Sequence, residues 1–387
     1  MGILKNKAAI IGSGIYKFSK DSGLTELDMA CRAIRSALDD ANLTPDCIDG
    51  FVEYTEEDFD EILVARSMGI GNLVFHGDVR WDGAAAGSMI QRAAIAVVSG
   101  AANYVVVVRS VNDSSLQRQK KAFGDRRTWE SLEETFYSPY GLLSDAGRVG
   151  INVRRYMYEN NLTNEAFGRI TQVAREYGAR NPNSLYFESP LGWEDYLASE
   201  VRIDPLREPD CSPPVDGAIA FIVAGSERAK QVCDNPVYIT ASAQCMVAGA
   251  QFKTDYYRPS ITDQKAIESV GRQLFESAGL SHKDIDLLQI EDTYAPVVPM
   301  ALEALGFCDR GMGVPFIGGG DRIRTDGELP VNTSGGSLGE GNLHGFNHIA
   351  EAVSQLRGNS NAQVKGTEHV MVVTGAFGPS SGLILGR

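Results

Sequence analysis

The sequence predicts an α/β protein built from two related βα halves, and three observations carry that prediction. Short β-branched runs alternate with amphipathic helical stretches over most of the chain, the pattern of helices packed on sheets. The segment ALDDANLTPDCIDGFVEYT (37–55) aligns without a gap on LFESAGLSHKDIDLLQIED (274–292), with Ala41 on Ala278, Leu43 on Leu280, Ile48 on Ile285 and Asp49 on Asp286. The larger order of strand, helix, strand, Gly-rich helix start and Val-rich strand also occurs twice. Two copies of such a unit imply a pseudo-twofold molecule whose parallel sheets sandwich helices, divided into residues 1–235 and 236–387.

Taken in order, Lys7 to Gly14 reads as a buried strand closing in a Gly turn. Gly12 and Gly14 lack the third glycine and the following helix of a dinucleotide fingerprint, so that reading is set aside. Leu24 to Leu43 carries Leu27, Ala30, Ala33, Ala37 and Ala41 at helical spacing, and Ile48 to Tyr54 reads as a strand. Gly83 to Gly100 is predicted as a helix buried on nearly all sides, followed by the β-branched run Tyr104 to Arg109, suited to the centre of a parallel sheet. From about 112 to 214 the chain turns polar and aromatic, with helices over Leu143 to Asn160 and Asn164 to Gly178. This stretch reads as an insertion covering one face. Strand character resumes at Asp216 to Ser226, and the second set ends with His369 to Gly375 and Gly382 to Leu385.

Composition narrows the function classes. A chain of 387 residues with 43% hydrophobic and 22% charged residues can bury a large core without disulfide or metal staples. Thirty-six basic against 50 acidic residues leave a net charge of -14, which argues against nucleic acid as a partner. The six cysteines are far apart with no CxxC pair, the pattern of neither a zinc site nor a disulfide scaffold. With no apolar run long enough to cross a membrane and no secretory h-region, a cytoplasmic protein is expected.

The stretch VNTSGGSLGEGNLHGFNHI (331–349) stands out, with Gly335, Gly336, Gly339, Gly341 and Gly345 around His344. Such a loop lets backbone approach backbone or ligand where a side chain would block it. The repeat puts it at a strand-to-helix junction of the second half, where α/β folds bind ligands.

Four segments carry a family resemblance: PYGLLSDAGRVGINVRRYMYE (139–159), WEDYLASEVRIDPLREPDCSPPVDGA (193–218), LEALGFC (302–308) and LPVNTSGGSLGEGNLHGFNHIAEAVSQLRG (329–358). Through them nearly the whole chain resembles the thiolase superfamily. Within it the chain is similar to the branch of sterol-carrier-protein-X thiolases and steroid side-chain-cleaving aldolases. The resemblance implies a thiolase fold, a layered α/β/α/β/α sandwich with a loop domain inserted in the first half.

It does not imply thiolase chemistry. The position of the nucleophilic cysteine falls on Gly83, and the Gly-His-Pro motif falls on Gly341-Asn342-Leu343, so Asn342 replaces its histidine. The second cysteine falls about Thr374 or Gly375. A glycine cannot form an acyl-enzyme, whereas an asparagine can still donate to an oxyanion. The aldolases resemble this arrangement, cleaving a β-hydroxyacyl-CoA by retro-aldol reaction with tyrosines. Tyr294 matches the first of these; the loop tyrosine falls on Asn342, and His344, two residues on, is the expected replacement. Catalytic roles are therefore expected for Tyr294, His344 and Asn342. Gly83, Asp292, Gly335, Gly336, Glu340, Gly341 and Gly375 are expected to shape the substrate site.

His344 could equally bond its own loop, and His348 in the following helix reads as packing. Cys211, Cys245 and Cys308 read as core thiols. Arg118, Lys120, Lys121, Arg126 and Arg127 form a basic cluster able to neutralise the phosphates of coenzyme A, or simply a solvated loop. Phe123, Trp129, Phe136, Tyr137 and Tyr140 could line an acyl pocket or anchor the insertion. No permanently bound cofactor and no metal are expected, with coenzyme A entering as part of the substrate. A homodimer and a small partner protein with a zinc ribbon and an OB-fold are implied by the resemblance. The leading reading is an aldolase acting on a bulky, possibly steroid-derived β-hydroxyacyl-CoA. A non-catalytic acyl-binding scaffold and an acyltransferase with a displaced nucleophile are the alternatives.

Overall fold

The computed structural model describes residues 2–55, 57–80, 84–115, 137–248 and 258–387. The first half runs β1 (Ala8–Ser19), α1 (Glu26–Asp40), β2 (Gly50–Tyr54), α2 (Glu61–Met68), β3 (Phe75–Val79), α3 (Ala84–Ser99) and β4 (Tyr104–Asn112). The insertion contributes α4 (Asp145–Asn160) and α5 (Gly168–Gly178), after which β5 (Asp216–Gly225) closes the half. The second half runs β6 (Val237–Cys245), α6 (Lys265–Ala278), β7 (Leu287–Ile290), α7 (Val297–Leu305), α8 (Phe346–Arg357), β8 (His369–Thr374) and β9 (Ser380–Gly386).

The nine strands form one sheet in the order β3-β2-β4-β5-β1-β6-β9-β8-β7. Read outward from the β1–β6 join, β5, β4 and β2 on one side answer β9, β8 and β7 on the other, which is the pseudo-twofold order. The aligned segments superpose in kind: the short 3-10 turns Pro45–Cys47 and His282–Asp284 precede β2 and β7 at matching positions. The expectation of parallel sheets is corrected. Only β2 with β3 and β4, and β7 with β8, run parallel. β5 and β9 return along their neighbours, so every pair from β4 through β5, β1, β6 and β9 to β8 is antiparallel.

Side-chain alternation then sorts the layers. In β4, Val106 and Val108 pack with α1 on the outer face, while Val105, Val107 and Val111 turn inward. The inward core draws on both halves: Ala85, Met89, Ile90 and Ala93 of α3 meet Phe346, Ile349 and Val353 of α8, between Phe221 and Val223 of β5 and Leu383 and Leu385 of β9. The two sides of the sheet, joined only at the short β1–β6 seam, both pack on these middle helices, and outer helices cover each half, giving the helix–sheet–helix–sheet–helix layering of the thiolase fold.

Thr25 caps α1, its Oγ1 accepting from Asp28 N at 3.1 Å. Its alanines let the helix lie directly on β1. A Cβ on Gly12 would stand 2.2 Å from the Ala37 carbonyl, and one on Gly14 2.1 Å from that of Ala33. These two glycines therefore serve helix–strand packing. The insertion packs on the outer face of the second half, with Val149, Val153, Tyr156 and Ile170 in one core with Val298, Met300 and Leu305. Among the described residues no helix is long and apolar enough to cross a membrane.

Candidate active site

A cavity of about 350 Å³ opens where the carboxyl ends of β4, β7 and β8 meet the loop before α8 and the start of α4. Tyr294, Asn342, His344 and Gly375 line it, together with Glu291, Thr293, Cys211, Asp113 and Arg202. The structure thus brings four of the expected residues to one cavity, together with Glu291, which the sequence reading missed although it stands three residues before Tyr294 in the IED run.

His344 is built into the loop under constraint. Its φ of 50° is left-handed, unusual for a residue with a Cβ. Its N–H donates to Asn342 Oδ1 at 3.0 Å, which fixes the turn and leaves the Asn342 Nδ2 end for a ligand. The imidazole Nδ1 lies 2.8 Å from Arg109 Nη2. Arg109, on the inward face of β4, stacks 3.7 Å over the Tyr54 ring and donates from Nη1 to Glu57 Oε1 at 3.1 Å. Burial drives the Glu57 carboxyl up to about 8 against the pull of Arg109.

The opposite wall begins where β7 ends. Tyr294, 9% exposed, bridges backbone to Cys211, and Ser212 N donates to Thr293 O at 2.8 Å. Glu291 Oε2 accepts from Gly375 N at 2.7 Å, tying the ends of β7 and β8 together. Gly375 has a φ of 83°, and a Cβ there would stand 2.3 Å from Pro379 O. Burial pushes the Cys211 thiol up to about 12, so it is protonated near neutrality and a poor nucleophile.

Other expected residues brace the site from behind. Asp292 is fully buried, its Oδ1 accepting from Ser337 N at 2.6 Å and lying 3.1 Å from His348 Nε2. His348, read as packing, is buried in this pair. A Cβ on Gly336 would stand 2.5 Å from the Asp292 carboxylate, and one on Gly335 2.9 Å from Gly178 N. Glu340 accepts from Asn181 Nδ2 at 2.9 Å and Ser334 Oγ at 2.6 Å, with its carboxyl driven up to about 8 by burial. Gly341 lies against Phe18 and Val215. Asp292, Gly335, Gly336, Glu340 and Gly341 do not line the cavity; they hold the loop from behind. Tyr140 is 88% exposed, and neither it nor Tyr137 lines this cavity. Gly83, Phe123, Trp129, Phe136 and the basic cluster Arg118, Lys120, Lys121, Arg126 and Arg127 lie outside the described residues. Among the described residues no group of His, Cys, Asp or Glu could hold a metal ion.

Paired βα halves around two central helices, with a Gly-rich loop delivering polar groups to the strand ends, define the thiolase superfamily. Residues 250–387 match the Thiolase C-terminal domain-like family. The chain is 39% identical over 99% of its length to all of the 17-hydroxy-3-oxo-4-pregnene-20-carboxyl-CoA lyase of Mycobacterium tuberculosis. It is 40% identical over its full length to 99% of the steroid side-chain-cleaving aldolase of Thermomonospora curvata. Among solved structures the Ltp2-ChsH2(DUF35) aldolase covers all of this chain with 99% of its own, at a TM-score of 0.93 and 39% identity. The chain belongs to the family of these aldolases within the thiolase superfamily.

Proposed function

We propose that the protein is a carbon–carbon lyase cleaving a steroid-derived β-hydroxyacyl-CoA by retro-aldol reaction, without a covalent acyl-enzyme. The observation that carries this reading is a cavity pairing Tyr294 with a donor-locked His344 beside a thiol too basic to act as a nucleophile. A guanidinium has only donors, so His344 Nδ1 accepts and the ring proton sits on Nε2. In that form the ring is a hydrogen-bond donor and not a base, which leaves Tyr294 as the base.

The chemistry follows from that assignment. Tyr294, on the wall with Glu291 and acting in its phenolate form, takes the β-hydroxyl proton as the C–O bond becomes a carbonyl. The Cα–Cβ electrons pass into the thioester enolate, whose oxygen His344 Nε2–H and Asn342 Nδ2 would hold. Return of that proton from Tyr294 to Cα completes the shortened acyl-CoA and restores the base. The state of Cys211 disfavours the acyltransferase alternative.

The reading includes a homodimer and a heteromeric complex. β3 is an edge strand that pairs with β2 on one side, a template for a second copy. The full-length likeness to a solved Ltp2-ChsH2(DUF35) aldolase supports a small partner protein. The test supplies 17-hydroxy-3-oxo-4-pregnene-20-carboxyl-CoA to the protein with and without a DUF35 partner, following the 17-ketone and propionyl-CoA by mass spectrometry. Tyr294→Phe and His344→Ala are expected to lower kcat by about 10²–10⁴-fold. Binding of the thioester with no cleavage in any combination would leave the acyl-binding scaffold as the better account.

A further inference from the structure

We propose that Arg109 is a positioning residue that fixes the tautomer and aim of His344, an inference that rests on the role assigned above to the His344 ring. Strand parity dictates where Arg109 points. Val105, Val107 and Val111 of β4 face the middle layer, and residue 109 shares their side. The strand therefore sends a cation into the core beneath the loop, where only 6% of the residue is exposed. Burying a charge in such a place costs several kcal/mol unless partners compensate, and an unbranched apolar side chain would fill the space without that cost.

The partners form a graded clamp. Tyr54 stacks 3.7 Å beneath the guanidinium, and Glu57 Oε1 accepts from Nη1 at 3.1 Å and from Ser110 N at 3.3 Å. Glu26, itself buried, holds the strand ends around them, accepting from Asp58 N at 2.9 Å and Asn112 N at 3.0 Å. With the fork held on one side by Glu57, its other terminal nitrogen is aimed at His344 Nδ1, 2.8 Å away. A cation that can only donate leaves the ring a single neutral tautomer, Nε2–H. The left-handed turn at His344 and its bond to Asn342 set the backbone; Arg109 sets the ring.

The experiment reads the tautomer directly. Nitrogen-15 NMR of the ligand-free protein, with His344→Gln identifying the signal among the five histidines, reports which ring nitrogen carries the proton. The wild type is expected to show Nε2–H alone. Arg109→Met is expected to show a mixture with Nδ1–H, and Arg109→Lys, still a donor, to restore the wild-type signature in part. In turnover, Arg109→Met should lower kcat by at least about tenfold, with KM little changed. Arg109→Met/Glu57→Gln, which leaves no unpaired buried charge, should show the same tautomer mixture in a chain that keeps its fold. If both Arg109→Met chains retain Nε2–H alone while folded, the proposal is overturned, whatever the activity. Absence of turnover in the wild type would count against the lyase reading and not against this assignment.

Discussion

Single residues in this protein divide by what burial does to their protons. Glu340 is buried and holds its carboxyl proton up to about 8, so the folded state keeps a proton that the unfolded chain loses from about pH 4.5. The sign follows: the contribution is fully present below the unfolded value and is lost as pH rises towards 8, by about 1.4 kcal/mol per pH unit. Glu340→Gln should remove that slope, gaining on the wild type between pH 5 and 8 in urea midpoints measured at each pH. Cys211 supplies the second residue-scale prediction. With its thiol pushed up to about 12, it should alkylate slowly at pH 8, gain no acyl mass on incubation with acyl-CoA, and tolerate Cys211→Ala with kcat within about threefold. Legibility at this scale is uneven. Tyr294 and His344 could be found because the repeat and the loop motif place them, but Arg109 ends a valine run and its partner lies 235 residues away. Nothing local to YVVVVR marks the arginine as part of a site; only the sheet alternation and the fold bring it there.

Elements are placed here largely by how closely backbones approach. The sequence predicted that the Gly-rich stretch admits either a backbone or a ligand, and the structure divides the two uses by position. Gly339 meets the end of α5 backbone to backbone: a Cβ on Gly178 would stand 1.9 Å from Gly339 O, and one on Gly339 2.0 Å from Ala174 O. Asn342 and His344, further along the same stretch, meet the cavity instead. Gly178→Ala should therefore push the Gly-rich loop from its seat, costing about 1–3 kcal/mol by chemical denaturation and lowering kcat even though α5 does not line the cavity. Gly71→Ala, where an added Cβ meets nothing within 4 Å, is the control and should shift stability by under about 0.5 kcal/mol. The helices and strands with strong periodicity were legible to within a few residues. α2 and β3 were not, because EILVARSM is a short helix with two buried side chains and FHGDV exposes His76 and Asp78 on a sheet edge. Strand direction was misjudged for a related reason. A valine-rich run buried on both faces reads as parallel, whereas β4 has a parallel neighbour on one side and an antiparallel one on the other.

At the scale of the whole molecule, the two halves are similar without being independent. Their strands join through Ala9 with Tyr238 and Ile10 with Val237, a short seam for a nine-stranded sheet. What unites them is the middle layer, where Met89, Ile90 and Ala93 of α3 and Phe346, Ile349 and Val353 of α8 share one core with inward side chains from both sides. Each half taken alone would present to water the apolar face that one such helix buries in the intact molecule, Ala85, Met89 and Ile90 of α3 or Phe346, Ile349 and Val353 of α8. We accordingly expect fragments 1–235 and 236–387, expressed separately, to bind hydrophobic dyes and to lack a cooperative thermal transition. Co-expressed, they should assemble into a complex with a single transition and regain lyase activity, because the break falls between α3 and α8 and severs neither. A fragment that is monomeric and unfolds cooperatively by itself would show that each half carries its own sufficient core. The shared layer would then govern only where the loop before α8 meets Arg109 of β4, and the site would be the sole feature that needs both halves.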